Sequence, residues 1–234
     1  MSWHRGGHEI APSATLEAFA EAAARGAELI EVDVRKSEDG RLVCVHDPVL
    51  GDLGRVDEVA WPALARAGAI DLQTFLDVLD ERDPTRRSDV HLDLKATGYE
   101  AEAADAVEER GRGLLVTSLE DESIAALRAC RPRVPALLTL GRDVRRVSVA
   151  AQLKLRRSEL VPFRRLSACG ATGVASHYLL ATPWLRGWCR RQGKTLLVWT
   201  VDSEESLRRW LRREVDVITT NRPLVALAMR DGSS

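Results

Sequence analysis

Short apolar runs of strand length alternate with amphipathic helical patterns along the whole chain. The first helix shows the pattern clearly, because Thr15 can cap its start, Leu16 and Phe19 share one face, and Gly26 stands where it should end. Such alternation is typical of parallel strands joined by helices. Strands are predicted at residues 1–4, 29–34, 42–46, 90–94, 114–117, 136–140, 173–176, 195–201 and 215–219. Helices are predicted at residues 15–25, 73–81, 100–110, 122–130, 162–169, 184–192 and 203–213, with a basic helical segment after residue 140.

Two architectures fit such a series, an open doubly wound sheet and a closed barrel. A dinucleotide-binding sheet needs a glycine-rich phosphate turn after its first strand, and His4-Arg5-Gly6-Gly7-His8 has the wrong spacing for that turn. The number of strands is close to eight, and no linker rich in Pro, Gly or Ser divides the chain. We therefore expect residues 1–234 to form a single α/β domain, a (β/α)8 TIM barrel. Residues 48–70 are expected to form a short excursion after the third strand, with one short helix.

The charge balance and the cysteine pattern narrow the functional class. The chain has 34 Lys and Arg residues against 35 Asp and Glu residues, so it lacks the basic excess of a general nucleic-acid binder. No stretch approaches the roughly 20 apolar residues of a membrane span, and no secretory leader pattern opens the sequence. The 4 cysteines are widely spaced and form no CxxC pair, which fits a reducing compartment. We expect a cytoplasmic protein without stable membrane insertion or a nucleic-acid partner.

Charged and polar side chains gather at the ends of the first four predicted strands. Glu31 and Asp33 are two residues apart in one strand, so both point to the same face. The carboxyl ends of parallel barrel strands meet at one mouth, where barrel enzymes hold their catalytic groups. The strand-end residues expected to meet there are His4, Arg5, Glu31, Asp33, His46, Asp93 and Lys95.

These residue types together predict phosphodiester chemistry. Three carboxylates offer hard oxygen ligands that suit one divalent cation, Mg²⁺ or Ca²⁺, with Mn²⁺ as a further candidate. The guanidinium and ammonium groups can hold the non-bridging oxygens of a phosphate. Two imidazoles can supply a general base for the nucleophile and a general acid for the leaving alkoxide. The substrate is therefore expected to be a small-molecule phosphodiester.

Short motifs follow one another in a characteristic order along nearly the whole chain. They are His4-Arg5-Gly6, Gly26-Ala27, Glu31-Val32-Asp33-Val34, Asp39-Gly40, His46-Asp47-Pro48, Leu92-Asp93-Leu94-Lys95, Trp199-Thr200-Val201 and Thr220-Asn221-Arg222-Pro223. In this order they resemble the glycerophosphodiester phosphodiesterase family. The combination is specific, whereas no single motif would be.

The resemblance implies a barrel enzyme that hydrolyses glycerophosphodiesters to glycerol 3-phosphate and an alcohol. It also implies a role for each candidate residue. By resemblance, His4 and His46 are the acid–base pair, Glu31, Asp33 and Asp93 bind the metal, Arg5 and Lys95 hold phosphate, and Trp199 packs near the glycerol side.

The chain departs from the family pattern at three places. The family usually has Pro-Glu-Asn-Thr where this chain has Pro12-Ser13-Ala14-Thr15, and usually has Glu where this chain has Asp93. The excursion after Pro48 is also shorter than usual. Two alternatives stay open at this level: a lysophospholipase D or sphingomyelinase D-like activity, and a weakly active barrel that binds a phosphorylated ligand. Three further histidines, His8, His91 and His177, have no assigned role, and the sequence does not determine an oligomeric state.

Overall fold

The computed structural model describes residues 1–141, 157–213 and 215–232. The described strands are β1 Ser2–Trp3, β2 Leu29–Lys36, β3 Leu42–Val43, β4 Asp89–Leu94, β5 Leu114–Ser118, β6 Ala136–Leu140, β7 Gly173–His177, β8 Thr195–Trp199 and β9 Val217–Thr220. Eight of them are parallel and close into a barrel, in which β1 pairs with β2 on one side and with β9 on the other. The order around the ring is β1, β2, β4, β5, β6, β7, β8 and β9, so the predicted (β/α)8 fold is confirmed.

The predicted third barrel strand is wrong. Instead of a strand over residues 42–46, only Leu42–Val43 is extended, and it pairs antiparallel with the last two residues of β2. The physical reason lies in β2, which continues beyond the barrel and offers Arg35 and Lys36 as backbone partners. The excursion therefore leaves the barrel after β2. It contains two short 3-10 turns, Gly51–Leu53 and Val56–Glu58, and a short helix, as predicted for this segment.

The helices surround the barrel, and side-chain caps start several of them. The Thr15 hydroxyl accepts the Ala18 N–H and the Ser203 hydroxyl accepts the Ser206 N–H, as the sequence predicted for these two helices. A C-terminal helix that the sequence reading missed begins at Pro223. The described helices are α1 Leu16–Ala24, α2 Trp61–Arg66, α3 Leu72–Arg82, α4 Glu100–Glu108, α5 Asp121–Cys130, α6 Phe163–Ala168, α7 Pro183–Gln192, α8 Glu204–Leu211 and α9 Pro223–Asp231. The basic helical segment predicted after residue 140 falls on residues 142–156, which lie outside the described residues.

The main hydrophobic core lies between the barrel and the helices. Alternate residues of β2, such as Ile30 and Val32, point outward and are almost fully buried. The helices complete this layer, and Phe19 of α1 meets Phe75 of α3 edge to face with ring centroids 4.7 Å apart. The other alternate residues of β2 point into the barrel, and this is what carries Glu31 and Asp33 to the interior. Among the described residues, no helix is long and apolar enough to span a bilayer.

Candidate active site

The predicted site residues lie together at the mouth of the barrel, where the parallel strands have their carboxyl ends. Seven of the eight line one cavity of about 440 Å³. The eighth, Asp33, is buried next to the cavity and pairs with two of its cationic residues. The seven that line the cavity are His4, Arg5, Glu31, His46, Asp93, Lys95 and Trp199.

The three carboxylates form a compact acidic cluster. One ligand oxygen from each of Glu31, Asp33 and Asp93 can be chosen so that all lie within 4.8 Å of one another. Two cations compensate part of this charge: Arg5 Nε is 2.6 Å from Asp33 Oδ2, and Lys95 Nζ is 2.7 Å from Asp33 Oδ1. Lys95 also pairs with Asp93. Three anions against two cations leave one excess negative charge in a largely buried place, which favours binding of a further cation.

The pKa directions agree with this imbalance. Burial raises the pKa of Glu31 well above its usual range, and the neighbouring Asp33 and Asp93 raise it further. Burial would also raise the pKa of Asp33, but Lys95 and Arg5 outweigh burial and hold it below its usual value. Glu31 is therefore the carboxylate that most lacks a positive partner, although it accepts the Arg5 backbone N–H at 2.9 Å.

The position and tautomer of His4 are fixed by two residues that follow β8 and β9. His4 Nδ1 is 2.7 Å from the side-chain oxygen of Asn221, while the Asn221 amide N–H donates to Asp202 Oδ2 at 2.9 Å. Because the amide gives its hydrogens to Asp202, its oxygen must face His4, and Nδ1 must carry the proton. Burial lowers the pKa of His4, so the ring is neutral near pH 7. The Nε2 lone pair is then free to accept a proton, 3.9 Å from Glu31 Oε2.

His46 reaches the same cavity from a loop rather than from a barrel strand. The loop follows β3, and its conformation is held where Arg35 Nε and Nη2 donate to the His46 carbonyl oxygen at 3.0 and 2.9 Å. The imidazole Nδ1 donates to Asp47 Oδ1 at 2.7 Å, so Nε2 is the nitrogen left for the cavity. The strand prediction for residues 42–46 was wrong, yet the excursion still brings the second histidine to the mouth.

The sequence reading missed Asp202 and Asn221 as functional residues. Asp202 comes shortly after the end of β8, and Asn221 comes directly after β9. Both stand where the rule for barrel strands places active-site groups, so the same rule that found His4 could have found them. Asn221 was part of a recognised motif, but its contact with His4 joins residues 217 positions apart in the sequence.

Trp199 forms one wall of the cavity. Its indole N–H donates to the Ala175 carbonyl oxygen at 3.1 Å, and its ring meets that of His177 edge to face at 5.3 Å. Gly141 lies against this pair: a Cβ there would come within 2.7 Å of the His177 Cβ. His177 thus supports the tryptophan at the rim. The side chain of His8 is exposed and does not line the cavity.

The loop after His4 contains a backbone conformation that its sequence does not favour. Ala14, which stands where the family usually has Asn, has a φ of 62°, and its N–H donates to the Arg5 carbonyl oxygen at 2.8 Å. A left-handed backbone is costly for alanine and is tolerated better by asparagine. The chain therefore has a left-handed residue here without a side chain that suits it.

The Ala14→Asn variant is therefore expected to be more stable than the parent, by roughly 0.5–1 kcal/mol of unfolding free energy. Chemical denaturation at constant pH measures the change. Ala125→Asn is the matched control, because Ala125 is exposed in the middle of α5, where asparagine costs about 0.5 kcal/mol of helix propensity. Equal destabilisation by both substitutions would contradict strain at Ala14.

An eight-stranded barrel with a charged cavity at its mouth belongs to the class of TIM-barrel enzymes. Residues 4–225 match the sequence profile of the Glycerophosphoryl diester phosphodiesterase family. The chain therefore belongs to this family and is a phosphoric diester hydrolase.

Individual relatives agree with this assignment. The chain is 24% identical to a glycerophosphodiester phosphodiesterase of Caldanaerobacter subterraneus subsp. tengcongensis, over 98% of this chain and 97% of the relative. The fold is similar to that of a glycerophosphodiester phosphodiesterase from Parabacteroides distasonis, with a TM-score of 0.81, 19% identity, and coverage of 99% and 96% of the two chains. It is also similar to an Oleispira antarctica phosphodiesterase solved in complex with the product sn-glycerol-3-phosphate, with a TM-score of 0.76, 20% identity, and coverage of 98% and 96%.

Proposed function

We propose that this protein uses a divalent cation and two histidines to hydrolyse glycerophosphodiesters to glycerol 3-phosphate and an alcohol. The observation that carries the proposal is the acidic cluster with one excess negative charge, at the cavity that His4 and His46 line. The family supplies the reaction type. The product bound to the Oleispira antarctica relative supports glycerol 3-phosphate as the product here.

The residues present fit a hard divalent cation. Glu31, Asp33 and Asp93 offer only oxygen ligands, the donors that Mg²⁺, Ca²⁺ and Mn²⁺ prefer. The raised pKa of Glu31 indicates that its charge lacks compensation within the protein, as expected where a cation belongs. When bound, the cation supplies Lewis acidity and neutralises charge on the phosphate oxygens.

The cationic residues orient the phosphate and offset its negative charge. Arg5 and Lys95 line the cavity and are each held against Asp33. Their remaining N–H groups can donate to the non-bridging oxygens, and their fixed positions reduce the reorganisation needed in the transition state. Trp199 is proposed to pack against the glycerol moiety, because it forms the apolar wall of the cavity beside Leu197 and Ala175.

The two histidines divide the proton transfers. A water molecule attacks phosphorus and gives its proton to His4 Nε2, the nitrogen whose lone pair is free. The bond between phosphorus and the alcohol oxygen breaks, and His46 Nε2 donates a proton to that oxygen as the alcohol leaves. One proton is taken and one is given, so exchange with solvent restores both rings.

The proposal is tested with the purified chain on a panel of glycerophosphodiesters, by enzymatic measurement of glycerol 3-phosphate. Activity is expected with Mg²⁺, Ca²⁺ or Mn²⁺, to fall at least about 100-fold in excess chelator, and to return when the cation is restored. Undiminished turnover in chelator would overturn the metal role. A lysophospholipid cleaved much faster than every water-soluble diester would instead assign a lysophospholipase D activity, and phosphate-ligand binding without turnover would assign a binding protein.

A further inference from the structure

His91 is a buried histidine that the proposed reaction does not use. It lies on β4 two residues before Asp93, points into the barrel on the same face, and is 3% exposed. Both of its ring nitrogens have partners: Ser2 Oγ lies 3.0 Å from Nδ1, and Thr117 Oγ1 lies 3.0 Å from Nε2. The side chain is thus held from β1 and from β5, on either side of the barrel interior.

The directions of these hydrogen bonds follow from the single hydrogen on each hydroxyl. The Thr117 hydroxyl donates to Asp93 Oδ1 at 2.9 Å, so its oxygen can only accept from His91. His91 must then carry its proton on Nε2, which leaves Nδ1 to accept from the Ser2 hydroxyl. Every bond points the same way, from Ser2 through His91 and Thr117 to the carboxylate of Asp93.

We propose that Thr117 and His91 are positioning residues for Asp93 as a metal ligand. The inference rests on the proposed metal role of the acidic cluster and adds to it how the third ligand is aimed. Thr117 fixes Oδ1 of Asp93 and Lys95 pairs with Oδ2, so the carboxylate is held at both oxygens. Hydrogen-bond partners of this kind orient metal-binding carboxylates and increase the affinity of the site for the metal.

The shorter side chain of Asp93 makes this support important. An aspartate reaches one methylene less far than a glutamate would, so its oxygens have less freedom to move toward an ion. A carboxylate with little freedom to move must be oriented toward the ion by neighbouring residues before the ion binds. The Ser2–His91–Thr117 chain provides this orientation from the interior of the barrel, where neighbouring side chains leave little room for movement.

The sharpest test replaces the Thr117 hydroxyl by a methyl group. Thr117→Val keeps the side-chain shape but donates nothing to Asp93, whereas Thr117→Ser keeps the donor. Thr139→Val is the matched control: Thr139 lines the same cavity from the adjacent strand β6 and is 6% exposed, and its hydroxyl has no hydrogen-bond partner among the described residues. Isothermal titration calorimetry of Mn²⁺ into each metal-free protein gives the Kd, and circular dichroism follows thermal unfolding.

Thr117→Val is expected to raise the Kd for Mn²⁺ by about 10-fold or more, while Thr117→Ser and Thr139→Val stay within about 3-fold of the parent. A purely structural role for Thr117 would lower the unfolding temperature without this rise in Kd, and that result would overturn the proposal. Should Thr117→Val not fold, His91→Leu serves in its place, because it frees the Thr117 hydroxyl to turn away from Asp93. An unchanged Kd in His91→Leu would then overturn the proposal.

The same titration separates the inference from the function on which it rests. If the parent protein binds no divalent cation, the acidic cluster is not a metal site, and both proposals fall. If the parent binds Mn²⁺ and Thr117→Val binds it equally well, only the positioning role falls, and the metal role of Glu31, Asp33 and Asp93 is unaffected.

Discussion

Replacing His4 by alanine is expected to lower kcat for glycerophosphodiester hydrolysis by about 10²–10⁴-fold, the usual contribution of a general acid or base. The expectation follows from the geometry of one ring. Asn221 accepts the Nδ1 hydrogen bond, and Nε2 faces the cavity next to the acidic cluster. The second reacting imidazole, His46, already supplies the other proton transfer, and both ring nitrogens of His91 are hydrogen-bonded, so no neighbouring histidine takes over from His4. Steady-state kinetics under saturating metal measure the loss.

Two other histidines make the result interpretable. His46→Ala is expected to give a loss in the same range, since His46 supplies the second proton transfer. His8→Ala is the control, because His8 is only four residues from His4 yet has an exposed side chain outside the cavity. Its kcat should stay within about 2-fold of the parent. A His4→Ala variant that keeps more than a tenth of the parent kcat would contradict general base catalysis by this ring.

The tautomer of His4 can be examined separately. Asn221→Leu removes the acceptor of the Nδ1 proton and leaves the imidazole in place, so a smaller loss of kcat than in His4→Ala is expected. The route from Asp202 through Asn221 to His4 resembles the positioning of Asp93 by Thr117 and His91. In both cases hydrogen bonds from residues distant in the sequence orient the side chain proposed to act.

The fold was predictable from the sequence in those elements whose residues follow one periodic pattern of burial. Alternate burial along β2 places Ile30 and Val32 in the outer core and Glu31 and Asp33 inside the barrel, and this alternation is visible in the sequence. The wrong strand prediction for residues 42–46 has a different cause. A two-residue strand has no periodic signal, and its pairing depends on how far β2 extends beyond the barrel. Tertiary context, not local preference, decides such an element.

The residues of the candidate site that stand at strand ends were predictable from the sequence. Seven of the eight predicted residues line one cavity. Six of them do so because parallel strands carry their carboxyl ends to one mouth, and His46 is brought there by a loop. The supporting residues were not predictable in this way. Thr117 looks like an ordinary strand residue, and only the distance between β4 and β5 shows that its hydroxyl meets Asp93. Hydrogen-bond partners across strands require atomic positions, which the sequence pattern does not contain.

The Glu31→Gln variant is expected to lose metal-dependent activity almost completely, by at least about 10³-fold, and to bind Mn²⁺ much more weakly than the parent. Glutamine keeps the length of the side chain and an oxygen that can accept the Arg5 backbone N–H. It removes one of the three anions, so the cluster no longer carries excess negative charge to attract a cation. Kinetics and calorimetric titration with Mn²⁺ measure the two losses.

In the same variant, thermal stability is expected to be kept or to rise, although activity is lost. Three neighbouring carboxylates, two of them buried, repel one another, and glutamine resembles the neutral form of Glu31, so the metal-free variant should unfold at the same temperature as the parent or higher. Glu100→Gln is the matched control, because Glu100 is also buried but accepts the Gly98 N–H away from the cavity. It should keep activity and Mn²⁺ affinity. If Glu31→Gln bound Mn²⁺ as tightly as the parent, the excess charge of the cluster would not be what attracts the ion, and the metal site would have to depend on other ligands.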